Sequence, residues 1–183
     1  MPEQRNPNSR LLVFHASFSR TPPHELEPVS DDPNQSGFGG GFHAGTEKAA
    51  LDRIRGLYKQ GFDTVYGLPL DDSTMHTYEV HGGVDSTIHD DPMASRYFKN
   101  SPRQRHGIKN EPLPELPTNR DDKVFQYRNL YEDPGSTSFF IPRRMVEEGK
   151  VTHLSSQFVD PRPPRKPRKG SKAYEKMMNE SQS

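Results

Sequence analysis

Apolar positions in this chain come in short, separated bursts, and their spacing changes from one burst to the next. Leu11-Leu-Val-Phe-His15 is a continuous apolar run between Ser9-Arg10 and Ala16-Ser17, and its length and branching predict a buried strand ending at His15. Pro22-Pro23, Pro28, Pro33 and Gly37-Phe-Gly-Gly-Gly41 come next. Neither a helix nor a central strand tolerates that punctuation, so residues 21–41 are expected to form a flexible loop across a binding cleft. From 46 to 61 the period becomes helical. Ala49, Ala50, Ile54 and Leu57 share a face behind a Thr46 N-cap, and Gly61 supplies the stop. The third residue after Thr46 is Ala49 rather than Glu or Gln, so the cap is not reciprocal.

Thr64-Val-Tyr-Gly67 and Thr77-Tyr-Glu-Val-His81 alternate enough to predict half-buried strands. Between Asp90 and Pro117 a helix is expected near Met93–Phe98, after which Pro102, Pro112, Pro114 and Pro117 divide the chain into linker-like pieces. Val124-Phe-Gln-Tyr127 and Ser138-Phe-Phe-Ile141 predict two further strands joined by the turn-rich Tyr131–Ser136. Past Phe158 the composition shifts: residues 160–172 hold six basic residues, four prolines and one acid. Such a segment is a tail, and the last 11 residues, 173–183, have too few positions for a helix that stands alone.

Only 29% of the residues are hydrophobic, with 18 Pro, 14 Gly and a mean hydropathy of -1.02, which predicts a modest core within much irregular chain. At 183 residues one domain is expected, over 10–155, with an N-terminal tail at 1–9 and a basic, Pro-rich tail at 156–183. Twenty-five basic residues balance 25 acidic ones, so no global field favours nucleic acid. The absence of Cys removes disulfides, thiolate nucleophiles and cysteine-ligated metals. The first 30 residues contain no continuous apolar stretch, so neither a secretory leader nor a membrane partner is expected.

Three clusters carry candidate chemistry: Val13-Phe-His15-Ala-Ser17, then Gly41-Phe-His43-Ala-Gly-Thr46-Glu-Lys-Ala-Ala50, then Phe125-Gln-Tyr127-Arg-Asn129 with Glu132-Asp-Pro-Gly-Ser-Thr-Ser138-Phe-Phe-Ile141. In that order they resemble the ADP-ribosyltransferase-like proteins of bacteriophages and mobile elements, distant relatives of the poly(ADP-ribose) polymerases. The resemblance implies an α+β fold: two small facing antiparallel sheets forming a split cleft, few helices and extended tails. It implies NAD as substrate. His15 would bond the ribose, the backbone of Ala16 and Ser17 would hold the nicotinamide amide, and His43 with Ala44 would occupy the ring-stacking position, so that His15 and His43 line one cleft. In the family a glutamate at the start of the last hairpin strand stabilises the cationic sugar. Ser138 stands there, and a serine supplies no charge; Glu132, in the preceding turn, is the nearest substitute.

Two functions follow from the resemblance. One is transfer of ADP-ribose to a host protein or nucleic acid. The other is a non-catalytic protein that uses the scaffold and tails within an assembly such as a virion. Host cytoplasm or virion is the implied location. Metal is not expected: His76, His81, His89, His106 and His153 make no His-x-x-x-His pair on one helix face. The basic tail suits either nucleic acid, by counterion release, or an acidic protein surface.

Overall fold

The computed structural model describes residues 10–26, 41–89, 117–129, 133–164 and 171–172. Its strands are β1 (Arg10–Ser17), β2 (Phe42–Ala44), β3 (Thr74–His81), β4 (Val84–His89), β5 (Val124–Arg128), β6 (Thr137–Ile141) and β7 (Val151–Phe158). Its helices are α1 (Glu47–Lys59), α2 (Phe62–Tyr66) and α3 (Arg143–Glu147). The class is α+β, mostly sheet with few helices.

The strands form a three-stranded sheet, β1-β3-β7, and a four-stranded sheet, β2-β6-β5-β4. All pairs are antiparallel except β4 with β5, which is parallel and corrects the expectation of wholly antiparallel sheets. A parallel neighbour needs a long crossover, and the stretch between His89 and Val124 is long enough to supply one. The chain steps from one sheet to the other between β3 and β4, where Gly82 and Gly83 both take φ near +65°. Only glycine adopts that conformation without cost.

Core residues alternate along the strands, as a pleat requires. Val13, Phe42, Ala44, Tyr78, Val80, Val124, Phe139, Ile141, Met145 and Val151 pack together and come from both sheets and α3. On the other face of β1 and β3, Ala16, Phe18 and Met75 receive Ala50 and Ile54 of α1. The apolar stripe read in the sequence is therefore the stripe that docks. Thr46 caps α1 as predicted: its hydroxyl accepts the Ala49 N–H at 3.0 Å. The same hydroxyl donates to Asp133 Oδ2 at 2.8 Å, so one side chain ties the helix start to the turn before β6. Thr46→Ala is expected to lower stability by about 1 kcal/mol and Thr46→Ser by much less, as read by urea unfolding.

Several expectations are corrected. Thr64–Gly67 is not a strand: residues 62–66 form α2, enclosed by Gly61 and Gly67, both in the left-handed region. Two such glycines punctuate a single helical turn, and Val65 and Tyr66 face solvent rather than a sheet. The first strand runs two residues past His15, to Ser17. The domain also extends beyond 155. β7 continues to Phe158, Val159 N–H donates to the Ser73 carbonyl at 3.0 Å, and Pro161 is buried. This strand escapes a reading by hydrophobic pattern because it is an edge: of its eight residues only Val151 is buried, and its pairing with β3 is through the main chain. The Gly-rich loop at 37–40, the helix expected near 93–98 and the end of the basic tail lie outside the described residues.

Candidate functional site

The two sheets meet where β1 passes the end of β2. Phe14 and Gly45 exchange both main-chain hydrogen bonds, at 2.9 and 3.0 Å, and form a bridge between them. Glycine permits the approach: a Cβ on residue 45 would meet Ser138 Oγ at 3.1 Å and the Ala49 methyl at 3.3 Å. At this seam the structure brings together residues from the three clusters separated in sequence.

His15 lies one residue past the bridge. Its Nδ1 stands 2.6 Å from the His43 carbonyl. A carbonyl only accepts, so the proton is on Nδ1 and the uncharged ring offers Nε2 as an acceptor. The ring meets Phe42 edge-on at 5.9 Å and His76 at 6.4 Å. Burial pushes its pKa down to about 4, against the opposing pull of the His43 carbonyl, and His76, His43 and Arg53 add repulsion. At neutral pH His15 is therefore a hydrogen-bond acceptor, suited to a hydroxyl rather than to a phosphate.

His43 joins His15 through its main chain, while its own ring packs against Tyr127 and Phe140, with Nδ1 2.8 Å from the Tyr127 hydroxyl. The two rings do not line one cleft as expected: residues 42 and 43 alternate across β2, so the His15 ring lies with Phe42 while the His43 ring lies on the opposite face, and only the His43 carbonyl meets His15. Ala16 and Ala44 place their methyl groups in the two cores, which leaves their main chain as what they present. The Ser17 hydroxyl donates to the Ser19 carbonyl at 3.4 Å, where the chain turns back over the sheet.

Ser138 is buried, and its Oγ accepts from Asn129 Nδ2 at 2.8 Å. Asn129 is held in turn: its N–H donates to the Ser136 carbonyl at 3.0 Å and its Oδ1 accepts the Asp133 N–H at 3.2 Å. The hydroxyl at position 138 is therefore a fixed polar pair in the wall of the seam. Glu132 lies outside the described residues.

Sequence reasoning missed Asp133, which it took only as part of a turn. Its carboxylate sits at the start of α1, bonded to Thr46 and 3.4 Å from Lys48 Nζ. The Thr46 hydrogen bond and the Lys48 charge hold it below the usual carboxylate range. No local pattern announces a partner 87 residues away from Thr46. Asn129 likewise has no local pattern that marks its Ser138 partner.

No family model, curated protein or solved structure matches this chain. The functional reading accordingly rests on the seam itself. Among the described residues no group of three or more His, Cys, Asp or Glu is placed to hold a metal ion, and no helix is long and apolar enough to cross a membrane. A depression of about 490 Å³ lies where β3 begins and β7 ends, lined by Arg20, Asp71, Thr74, Ser156 and Phe158.

Proposed function

We propose that this chain is an ADP-ribosyltransferase-like protein that binds NAD at the β1–β2 seam. The observation that carries the reading is the His15 Nδ1 contact to the His43 carbonyl. It fixes an uncharged imidazole, with Nε2 as acceptor for a ribose hydroxyl, at the junction of two sheets. The resemblance in sequence gives both histidines, 28 residues apart, a place at the nucleotide; here the His15 ring and the His43 carbonyl are the parts that meet.

In this proposal NAD binds and ADP-ribose transfer is slow. A cationic sugar needs a negative charge beside it as nicotinamide departs. Ser138 supplies none, and its hydroxyl is already paired with Asn129. Asp133 places a carboxylate at the start of α1, and it is engaged by Thr46 and Lys48. The phage setting, and a host protein or nucleic acid as acceptor, belong to this proposal as well.

The buried Ser138–Asn129 pair favours a second reading, in which the scaffold serves a non-catalytic role in an assembly such as a virion. Incubation of the full chain with NAD and detection of free nicotinamide separates the two. Slow release above the solvent background is the expected result, and release at the background would favour the second reading. Sustained release would show a transferase that obtains its charge elsewhere, and its loss in Asp133→Asn would then locate that charge.

A further inference from the structure

The inner face of the three-stranded sheet carries a second constellation beside the seam, built on His76, whose ring centroid lies 6.4 Å from that of His15. His76 is fully buried on β3, and its Nε2 stands 3.1 Å from the Ser19 carbonyl. A carbonyl accepts only, so the proton is on Nε2 and the lone pair of the uncharged ring is on Nδ1. Ser156 Oγ lies 2.9 Å from that Nδ1, so the hydroxyl donates to it. His153 Nε2 stands 3.0 Å from the same Oγ. The one hydroxyl proton is already committed to His76, so His153 is the donor in that contact. A single main-chain carbonyl thus fixes every proton in the chain from His153 through Ser156 to His76.

Ser156 is itself exposed, on edge strand β7, and lines the depression of about 490 Å³. An accessible hydroxyl bonded to a buried imidazole, itself oriented by a third group, is the arrangement that activates a serine. We propose that Ser156 is a nucleophile with His76 as its general base, acting on small uncharged carboxylic esters in this depression. The lining supports an uncharged substrate: it offers one cation, Arg20, and one carboxylate, Asp71, and Arg20 is neutralised further by Asp72 at 2.7 Å. Phe158 adds exposed apolar surface for an acyl or aryl group.

The step balances without a cofactor. Ser156 Oγ bonds to the acyl carbon as its proton passes to His76 Nδ1, and the C–O bond to the alcohol breaks as that proton moves to the leaving alkoxide. Water, deprotonated by His76, then releases the carboxylic acid and restores the serine. His153 donates to Oγ and stabilises the negative charge that builds on it as its proton leaves. Burial holds the His76 pKa below its ordinary value, which keeps the base uncharged at neutral pH. The charged and titratable groups around it are His15 on β1, His153 on β7, and His24 with Glu25 on the loop that covers the sheet.

The test is reaction of the full chain with a fluorophosphonate, in which Oγ bonds to phosphorus, fluoride leaves and His76 takes the proton. Mass spectrometry locates the adduct, and 4-nitrophenyl acetate hydrolysis is followed in parallel. The expected result is an adduct on Ser156 formed far faster than on neighbouring Ser155, and absent in Ser156→Ala. His76→Gln should slow labelling about 100-fold or more. His153→Gln should slow it about tenfold while the melting curve is unchanged. In the native chain the labelling rate should fall only as pH drops below 6.5, the ordinary histidine value. Labelling of Ser156 no faster than Ser155, or unaffected in folded His153→Gln, would overturn the proposal. Those two comparisons decide it even if His76→Gln does not fold.

Discussion

Phe42→Ala is expected to lower the stability of this domain by about 3–5 kcal/mol. Phe42 is fully buried on β2, in the four-stranded sheet, yet its ring centroid lies 4.7 Å from that of Tyr78 on β3, in the three-stranded sheet. The ring therefore fills the space between sheets that share few main-chain bonds, and truncation leaves a cavity that neither sheet can close alone. The neighbouring Gly41 shows how tightly this end is packed, since a Cβ there would run into Asn119 Oδ1 and approach Phe140 Cζ to 2.9 Å. Against a usual domain stability of about 5–15 kcal/mol, the loss is a large share of the total. Urea unfolding should show a lower midpoint at an unchanged slope. Val65→Ala, at a residue 74% exposed on α2, should change stability by no more than about 0.5 kcal/mol.

The second large effect is loss of stability in mild acid. His15 has a folded pKa of about 4 against an ordinary 6.5, so between those values the unfolded chain binds a proton that the folded chain refuses. Stability then rises with pH: the contribution is fully present above 6.5 and is lost progressively as pH falls toward 4. At ~1.4 kcal/mol per pH unit, His15 alone accounts for about 3 kcal/mol. Burial shifts His76 and His24 in the same direction, so both add to the loss in the same window. Thermal melts from pH 7.5 to 4 on the native chain and on His15→Asn should converge as the pH falls. A native melting temperature that stays flat across this range would contradict the assignment of an uncharged His15.

What the sequence made legible follows from where each signal resides. α1 was readable because a helical stripe and its cap are local, and β1, β5 and β6 because their apolar runs are short, dense and bounded. β7 was not, because an edge strand stabilised by main-chain pairing to β3 needs no hydrophobic pattern of its own. α2 was misread because Thr64, Val65 and Tyr66 have the residue types of a strand, whereas the flanking glycines decide the conformation. β4 escaped because its parallel partner lies across a long insertion.

The same division holds at the seam. His15 and His43 could be singled out because each stands in a short, bounded cluster, Val13–Ser17 and Gly41–Thr46. Asp133 and Asn129 were not given roles, because their work is to join the start of α1 and the start of β6, and that contact exists only once the sheets have closed. Ser156 shows the same limit. Its two histidine partners are in the sequence only histidines without metal-ligand spacing, and what brings them to one hydroxyl is the pairing of β3 with β7, with the Ser19 carbonyl orienting His76.

The most direct measurement of the central claim is calorimetric titration of NAD into the full chain and into His15→Ala at pH 7.5. Saturable binding to the native protein and at least a tenfold loss in the variant, at an unchanged fold by circular dichroism, are expected. No binding at millimolar NAD, or equal binding by both proteins, would contradict it.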